Sequence, residues 1–337
     1  MIQEAIQKLV EGRSLSFEES VAAMTQIMEG NATPAQFGAF VTALRLKGET
    51  VDEVAGMATV MREKSLHLSS SYDLVDTCGT GGDDSGTFNI STAAAFVVAG
   101  VGVKVAKHGN RAMSGKTGSA DVLEALGANI ELSPESIAEC IAETGFGFMF
   151  AQGFHPSMRF AAGPRREIGI RTVFNLLGPL TNPAGANRQL IGVSDPSIGE
   201  LMANVLARLG CEKALIVHGN DGLDEITLST TSMIWTLESG IVTETEVSPK
   251  EFGFKESSLS SISAQDPDTS ARIIRAVFEG TGGSSRDIVL LNSAAALNAA
   301  NYVDSLQSGI EASARSIDSG SALASLNSYV EFSKELQ

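Results

Sequence analysis

From Tyr72 onward, short apolar strand patterns alternate with helical patterns, and this alternation constrains the fold of the chain most strongly. The strand patterns cover residues 72–78, 101–106, 128–132, 146–151 and 213–218, and the clearest helical patterns between them cover 119–126, 134–144 and 197–209. Such alternation is typical of a mostly parallel sheet covered by helices on both faces. Residues 234–247 resemble a hairpin that turns at Ser239-Gly240, and the chain is helical after about residue 269.

The first seventy residues instead contain three patterns typical of helix starts. They pair Ser16 with Glu19, Thr33 with Gln36, and Thr50 with Glu53. In such a capping box, two side chains satisfy free backbone N–H groups of the first turn. Helices are therefore predicted at 2–10, 17–29, 34–46 and 51–64. Because so few residues make a small core, we expect these helices to pack on later segments and on a second subunit.

Charge and composition exclude several classes of partner. The chain has 24 basic and 40 acidic residues, a net charge of −16 that repels nucleic acid and anionic membranes. Its longest apolar run, Ala93 to Val103, has 11 residues, too few to cross a bilayer, and the N-terminus does not resemble a secretory signal. The three cysteines form no CxxC pair and fit a reducing compartment. We therefore expect a cytoplasmic protein that binds neither nucleic acid nor membrane.

The clearest local signal is the glycine-rich run from Asp76 to Asp83, DTCGTGGD, which follows the first predicted strand. A helix start follows it, at TFNIST from Thr87 to Thr92. Glycines let the backbone approach an anion, and a helix N-terminus adds free N–H groups, so the run predicts a phosphate site. The alternative is a tight turn with Ser91 as an ordinary helix cap, although Asp83 and Asp84 suggest a metal or cationic partner.

Two familiar phosphate-binding motifs do not fit. In a dinucleotide-binding GxGxxG motif that begins at Gly79, the last glycine is replaced by Asp84. In a Walker A motif, Gly109 precedes Gly115-Lys116 by one residue too many. The sequence therefore favours neither a dinucleotide cofactor nor an ATPase.

A second cluster, KHGNR from Lys107 to Arg111, ends another predicted strand and leads to GSAD from Gly118. Ligands of open α/β sheets bind beyond the carboxyl ends of strands, so we expect this loop and the glycine run to face one crevice. Lys107, Arg111 and Lys116 bring positive charge to an acidic protein, although each alone is more often a solvated surface cation.

Two further features suggest a metal and an organic anion. Asp224-Glu225 offers hard oxygen ligands suited to Mg²⁺, or is only a polar loop. A helical pattern at 165–177 is a candidate to rejoin the N-terminal helices, and it starts with Arg165-Arg166, where the helix dipole disfavours cations. Something anionic is expected there, either an internal carboxylate such as Glu167 or a substrate carboxylate held by an arginine fork.

The motifs GTGGD, NIST, KHGNR, GSADVLEALG, Asp224-Glu225 and GIRTVFNLLGPLTNP, in this order, resemble those of the anthranilate phosphoribosyltransferases, members of the nucleoside phosphorylase-like class. The resemblance spans essentially the whole chain and weakens after about residue 230. It implies a small all-helical domain, residues 1–70 with 165–190 returning to it, and a larger α/β domain, residues 71–164 and 191–337, with a central mostly parallel sheet. It also implies a homodimer formed through the helical domains.

The activity that the resemblance implies belongs to tryptophan biosynthesis. Such a glycosyltransferase moves the phosphoribosyl group of phosphoribosyl pyrophosphate (PRPP) to the amine of anthranilate, releases diphosphate, and uses Mg²⁺, two ions per active site. The implied PRPP-binding residues are Gly79, Thr80, Gly82, Asp83, Thr87, Asn89, Ser91, Thr92, Lys107 and Ser119; the anthranilate residues are Gly79, His108, Asn110, Arg165 and Gly178; the metal residues are Ser91, Asp224 and Glu225. Gly115 departs from the serine of the family pattern. No general base is implied, because the attacking amine is neutral at pH 7.

Two other functions remain as alternatives. A pyrimidine nucleoside phosphorylase has loops like KHGNR and GSAD and uses inorganic phosphate without a metal pair; Asp224-Glu225 and GIRTVFNLLGPL disfavour it. A non-catalytic relative that binds nucleic acid predicts a basic surface, against the net charge of −16.

Overall fold

The structure, a computed structural model, describes residues 1–83, 85–112 and 117–336. The inferences drawn above for Asp84, Gly115 and Lys116 lie outside these residues. The helices are α1 Ile2–Val10, α2 Phe17–Met28, α3 Pro34–Lys47, α4 Val51–Glu63, α5 Ile90–Gly100, α6 Ser119–Leu126, α7 Pro134–Thr144, α8 Ala151–Phe154, α9 Arg159–Ile168, α10 Phe174–Leu177, α11 Gly199–Arg208, α12 Pro267–Phe278, α13 Ser284–Ala299, α14 Leu306–Asp318 and α15 Ser321–Glu335. No helix in the described ranges is long and apolar enough to span a membrane.

All three predicted capping boxes are present and start α2, α3 and α4. The side chains of Ser16, Thr33 and Thr50 accept the backbone N–H of the third helical residue, whose own side chain accepts the N–H of the cap. These local hydrogen bonds set where each helix begins, so the sequence alone predicts the starts of these helices well.

The strands form one sheet that is parallel over most of its width. They are β1 Leu74–Gly79, β2 Lys104–Gly109, β3 Phe146–Phe150, β4 Arg188–Gly192, β5 Lys213–Gly219, β6 Ser232–Glu238 and β7 Ile241–Val247. Their order in the described part of the chain is β3-β2-β1-β4-β5-β6-β7. The first five are mutually parallel, and β6 and β7 add the predicted antiparallel hairpin, with Ser239 at a positive φ of 52°.

The strand order reverses between β1 and β4, and this reversal positions the site. From β1 the chain adds β2 and β3 on one side of the sheet, and then returns to place β4 on the other side of β1. Loops that leave the carboxyl ends of β1 and β4 diverge at such a switch point and leave a crevice between them. The glycine run leaves β1 at this point.

Two hydrophobic cores lie on opposite faces of β4 and β5. Leu190 and Leu215 belong to the core that buries α5 and the C-terminal helices. Their neighbours Ile191 and Ile216 face the other way, into a core shared with α1–α4, α10 and α11. This alternation is the two-residue period of a strand covered on both faces. The first four helices therefore pack on later segments, while the domain boundaries at 70, 164 and 190 stay a prediction.

Two strand predictions are wrong. Residues 128–132 form no strand; Ile130 and Leu132 are buried in the main core without pairing to the sheet, so a short apolar run was mistaken for a strand. The strand predicted at 101–106 begins instead at Lys104, because Gly102, at a positive φ of 94°, turns the chain after α5. Lys107 therefore lies inside β2 rather than after it.

The single helix predicted at 165–177 is also wrong. Helix α9 begins at Arg159 and ends at Ile168, where Gly169 caps it with a positive φ of 67°, and α10 starts only at Phe174. Arg165 and Arg166 thus occupy the last turn of α9, where the helix dipole favours cations. The predicted electrostatic conflict at a helix start does not exist. Strand β4, which was not predicted, follows this segment.

Candidate functional site

The glycine loop, described at residues 79–83 and 85–88, packs against the loops that follow β4 and β5. Thr80 N–H donates to Gly192 O over 2.8 Å, which joins the ends of β1 and β4. A side chain at Gly79 would place its Cβ 2.8 Å from Asp224 Oδ2, and one at Gly192 would overlap the Asp224 carbonyl. Glycine at both positions therefore lets the Asp224 loop approach β1 and β4 closely.

Asn89, not Ser91, caps helix α5. The Asn89 side chain accepts the Thr92 N–H at 3.0 Å, so the interpretation of Ser91 as an ordinary cap is wrong. Ser91 Oγ lies 3.4 Å from Asn89 Oδ1 and accepts a hydrogen bond from Lys107 Nζ at 3.1 Å. The Ser91 hydroxyl thus lies beside the backbone N–H groups of the first turn of α5, and Lys107 of β2 contacts that hydroxyl.

Lys107 is a buried cation between β1 and α5. Only 1% of it is exposed, and its Nζ contacts the Thr77 carbonyl and lies 3.3 Å from Thr77 Oγ1. Burial lowers the pKa of Lys107, while the nearby carboxylates, Asp76 first among them, oppose that shift. The Lys107 ammonium is buried among neutral oxygens and faces acidic groups. Such a cation is suited to bind an anionic ligand that enters the crevice.

Asp224 and Glu225 meet this cluster from the loop after β5. Burial, followed by the charge of Asp83, raises the pKa of Asp224 to about 7. Burial and the charge of Asp224 raise the pKa of Glu225 well above its usual range, although Lys107 and the Ser91 N–H favour its ionised form. Two neighbouring carboxyls are therefore both held back from ionising.

This donor set fits a magnesium ion with an incomplete protein shell. Ser91, Asp224 and Glu225 offer only hard oxygens, and a divalent cation would stabilise carboxylates whose ionised forms burial disfavours. Within residues 1–83, 85–112 and 117–336, no three histidine, cysteine or acidic side chains form a metal-binding group. Mg²⁺ commonly takes one or two protein carboxylates and completes its shell with water and substrate phosphates.

The remaining predicted PRPP residues surround the same loop. Asp83 Oδ2 accepts the Ser85 hydroxyl at 2.6 Å, and Ser85 Oγ lies 3.4 Å from Thr87 Oγ1. Thr80 is buried, and Gly82 is exposed with a positive φ of 73°. Ser119, the first residue of α6, has its hydroxyl against Gly109 at the end of β2, where a Cβ would lie 2.5 Å away.

His108 and Gly178, both predicted to contact anthranilate, are in direct contact. His108 Nδ1 lies 3.2 Å from Gly178 O, and because a carbonyl only accepts, Nδ1 carries the proton. Burial lowers the pKa of His108 to about 3, so the ring is neutral. Its Nε2 is then an acceptor, and it is buried without a partner among the described residues.

His155 was missed by the sequence analysis. Its ring centroid lies 5.1 Å from that of His108, its Nε2 is likewise buried without a partner in the described ranges, and burial lowers its pKa to about 4. The available signal was a histidine beyond the carboxyl end of β3, where ligand-contacting residues of such sheets lie. Two neutral imidazoles therefore lie side by side, and that of His108 contacts Gly178.

Arg165 is half-buried, and its guanidinium carbon lies 5.2 Å from the centre of the Phe174 ring. Burial lowers its pKa. In the described part of the chain its side chain makes no hydrogen bond or ion pair, so Glu167 does not neutralise it. A guanidinium desolvated without an acceptor is suited to an anionic ligand.

The KHGNR cations have different environments. Arg111 pairs with Glu124 through both guanidinium nitrogens and with Asp121 at 3.2 Å, so its charge is used within the protein. Asn110 is exposed and accepts the Arg111 N–H at 2.8 Å. Among the residues that can be described, no hydrogen bond joins Asn110 or Arg165 to His108, so the predicted anthranilate residues do not form one hydrogen-bonded cluster.

Comparison with known proteins identifies the family. Residues 71–323 match the glycosyl transferase family a/b domain, and residues 3–65 match its helical bundle domain. Anthranilate phosphoribosyltransferase of Acetivibrio thermocellus is 53% identical over 333 residues, which cover 98% of this chain and 96% of the relative.

Solved structures agree in fold over nearly the whole chain. The Thermus thermophilus enzyme of the same name has a TM-score of 0.92 at 41% identity, covering 98% of this chain and 99% of that one. The Saccharomyces cerevisiae enzyme, solved with PRPP and Mg, has a TM-score of 0.90 at 27% identity, with 99% and 98% covered. The same yeast enzyme has been solved with 4-fluoroanthranilate, at a TM-score of 0.88 and 26% identity, with 99% and 98% covered. The chain thus belongs to the anthranilate phosphoribosyltransferases.

Proposed function

We propose that the glycine loop, the start of α5, Lys107 and the Asp224-Glu225 pair hold PRPP, and that the His108 and Arg165 side of the crevice holds anthranilate. The reaction is the one that the family name states: the anthranilate amine attacks ribose C1 of PRPP and diphosphate leaves. The observation that carries the proposal is the meeting of Asp224 and Glu225 with Ser91 and Lys107 at the glycine loop.

The diphosphate end needs the most electrostatic help. As the bond from ribose C1 to diphosphate oxygen breaks, the electron pair leaves with diphosphate, and a bond forms from the amine nitrogen to C1. Lys107 and the free backbone N–H groups of the glycine loop are fixed in place before the charge develops, which is the arrangement that lowers such a barrier. The PRPP-binding roles of Gly79, Thr80, Gly82, Asp83, Thr87, Asn89, Ser91, Thr92 and Ser119 belong to this proposal.

Magnesium use is a property of the family, as the yeast structure with PRPP and Mg indicates. We propose two ions per site, with Asp224 and Glu225 as ligands of one and Ser91 near the other. When bound, magnesium neutralises charge on the departing diphosphate. The raised pKa values of Asp224 and Glu225 support this role, because a cation favours the ionised carboxylates.

On the anthranilate side, the protein only needs to place a neutral amine. His108 Nε2 is an acceptor for one amine hydrogen, and Arg165 is a donor pair for the carboxylate; Gly79, Asn110 and Gly178 complete the proposed pocket. Holding the amine near C1 raises its effective concentration, and the attack needs no obligatory general base. The yeast structure with 4-fluoroanthranilate supports a pocket for this ligand class.

The experiment for this function measures anthranilate fluorescence in the presence of PRPP and Mg²⁺. Fluorescence should fall only when both are present, as anthranilate is consumed. The pyrimidine nucleoside phosphorylase alternative predicts cleavage of thymidine with inorganic phosphate and no fluorescence change. Phosphorolysis without loss of anthranilate would overturn the proposal.

We also propose a homodimer through the helical domain. Leu46 at the end of α3 is 83% exposed and Val10 at the end of α1 is 62% exposed, in helices that contact each other. Large apolar side chains at this exposure, on two neighbouring helices, favour a partner surface.

Cytoplasmic residence is part of the same proposal. The described cysteines, Cys78, Cys140 and Cys211, are all free thiols, and burial raises the pKa of Cys78. Unpaired and unreactive thiols suit a reducing compartment. The net charge of −16 and the acidic site also argue against a nucleic-acid partner.

A further inference from the structure

Arg171 lies in the linker between α9 and α10, and its side chain reaches the glycine loop. Its Nη1 donates to Gly81 O at 2.8 Å and lies 3.3 Å from Gly82 O. The side chain of Arg171 is exposed, and among the residues described here it forms no ion pair within 4.0 Å. The Arg171 guanidinium thus bonds to neutral backbone carbonyls rather than to a carboxylate of the described residues. Its charge nevertheless favours the ionised form of the nearby Asp224.

These two contacts fix the direction of two peptide groups. In a trans peptide, the carbonyl oxygen of one residue and the N–H of the next point in opposite directions. When the carbonyls of Gly81 and Gly82 face Arg171, the N–H groups of Gly82 and Asp83 face away from it. Neither N–H donates to a described residue. Both are therefore available to a ligand.

The loop conformation also depends on glycine at this place. Gly81 and Gly82 have consecutive positive φ values of 63° and 73°, which other residues rarely adopt. On the side of Gly82 where a Cβ would lie, the space is filled by the Arg171 guanidinium. Gly82 therefore leaves room for the Arg171 guanidinium to lie against the loop backbone.

We propose that Arg171 is a positioning residue for PRPP. By holding the Gly81 and Gly82 carbonyls, it keeps the N–H groups of Gly82 and Asp83 turned toward the diphosphate. The inference rests on the proposed function, since it requires the glycine loop to bind diphosphate. It gives the linker between α9 and α10 a part in PRPP binding. The position of this linker, outside the loops of the sheet, does not suggest such a part.

The test is steady-state kinetics of Arg171→Ala in the full-length enzyme. We expect the KM for PRPP to rise about tenfold, which corresponds to about 1.4 kcal/mol, with the KM for anthranilate within twofold of wild type. Because the side chain is exposed, Tm should not change. Arg171→Lys should recover most of the affinity, since an ammonium also donates to carbonyls. Arg13→Ala, which removes another exposed arginine, bonded to Glu11, is the matched control and should change neither KM.

A double-mutant cycle with Gly82→Ala separates positioning from direct contact with diphosphate. If both residues act through the conformation of one loop, the rise in KM for PRPP in the double variant should be smaller than the product of the single rises. Multiplicative effects would indicate that Arg171 acts on PRPP independently of the loop, and would overturn the proposal. So would an equal rise in both KM values together with a lower Tm, which indicates a structural role.

Lys107→Ala distinguishes failure of this inference from failure of the proposed function. If Lys107→Ala raises the KM for PRPP and Arg171→Ala does not, PRPP binds at the glycine loop and the role of Arg171 is refuted. If neither variant changes it, the loop does not bind PRPP, and both proposals fail.

Discussion

Asp224 and Glu225 are two acidic side chains in a place that opposes their charge. Burial raises both pKa values, helped by the charge of Asp83 at Asp224 and by that of Asp224 at Glu225, and the pKa of Asp224 rises from 3.8 to about 7. A sequence shows that two acidic residues are adjacent, but it does not show that they will lie half-buried beside Asp83 and Lys107. The type of ligand could therefore be proposed from the sequence, whereas the electrostatic strain that supports a metal site at this pair could not.

This strain predicts how stability depends on pH without metal. An Asp224 carboxyl whose pKa is 3.8 when unfolded and about 7 when folded holds its proton longer in the folded state. The free energy of unfolding of metal-free protein should therefore fall as pH rises from about 4 to about 7. Mg²⁺ competes with that proton, so it should raise Tm more at pH 8 than at pH 6.

The variant that checks this combines Asp224→Asn with Glu225→Gln. Neutral amides keep the shape of both side chains but remove the ionisation, so the Mg²⁺-dependent rise in Tm should vanish along with most activity, while the fold is retained. Tm measured with a chelator and with Mg²⁺ from pH 5.5 to 8 gives the answer. A Mg²⁺ response equal to that of wild type would refute the metal assignment.

His155 shows what the sequence leaves hidden at the level of residues. A lone histidine before a proline carries no motif, and only the fold brings it 5.1 Å from His108. The helix-start argument for an anion at Arg165 is wrong, since Arg165 lies in the last turn of α9. What supports its proposed role is a guanidinium without an anionic partner in the described structure, a property of packing.

Among the elements, helix α5 links fold and site most directly, because Asn89 both caps it and belongs to the proposed PRPP site. We predict that Asn89→Asp preserves Tm, because aspartate caps as well as asparagine, but raises the KM for PRPP by placing a negative charge beside the diphosphate. Asn89→Ala should lose about 1 kcal/mol of stability, or about 1 to 2 °C in Tm.

The matched control for this prediction is Ser133→Ala. Ser133 caps α7 by accepting the Ser136 N–H at 3.1 Å, outside the proposed site. It should lower Tm by a similar amount without changing the KM for either substrate. If Asn89→Asp binds PRPP as well as wild type does, Asn89 is only a cap.

Elements whose ends are set by local hydrogen bonds were predictable, and those set by tertiary pairing were not. The caps at Ser16, Thr33 and Thr50 mark helix starts because each acts within one turn. Residues 128–132 are apolar enough for a strand, yet only the sheet decides which segments pair. Strand β4 was missed because its five residues, RQLIG, carry little local signal.

For the whole molecule, the exposed apolar residues of α1 and α3 predict a dimer of about 70 kDa, twice the 35.2 kDa of the chain. Leu46→Glu should shift it toward monomer, because a charge in a buried apolar interface is costly. Tyr302→Glu is the control. Tyr302 is 50% exposed but lies within the match to the a/b domain, so its substitution should leave the dimer intact. Sedimentation velocity reports the mass. A monomeric wild type at micromolar concentration would contradict the prediction.

The central claim is that two substrates are held by two separate sets of residues, and reciprocal kinetics test it most directly. A charge-assisted hydrogen bond contributes about 1.5–3 kcal/mol, so Arg165→Ala should raise the KM for anthranilate by about 10- to 150-fold and leave that for PRPP within a few-fold. Lys107→Ala should do the reverse. If each variant affects both substrates alike, or Arg165→Ala only lowers Tm, the separation of the two sites is contradicted.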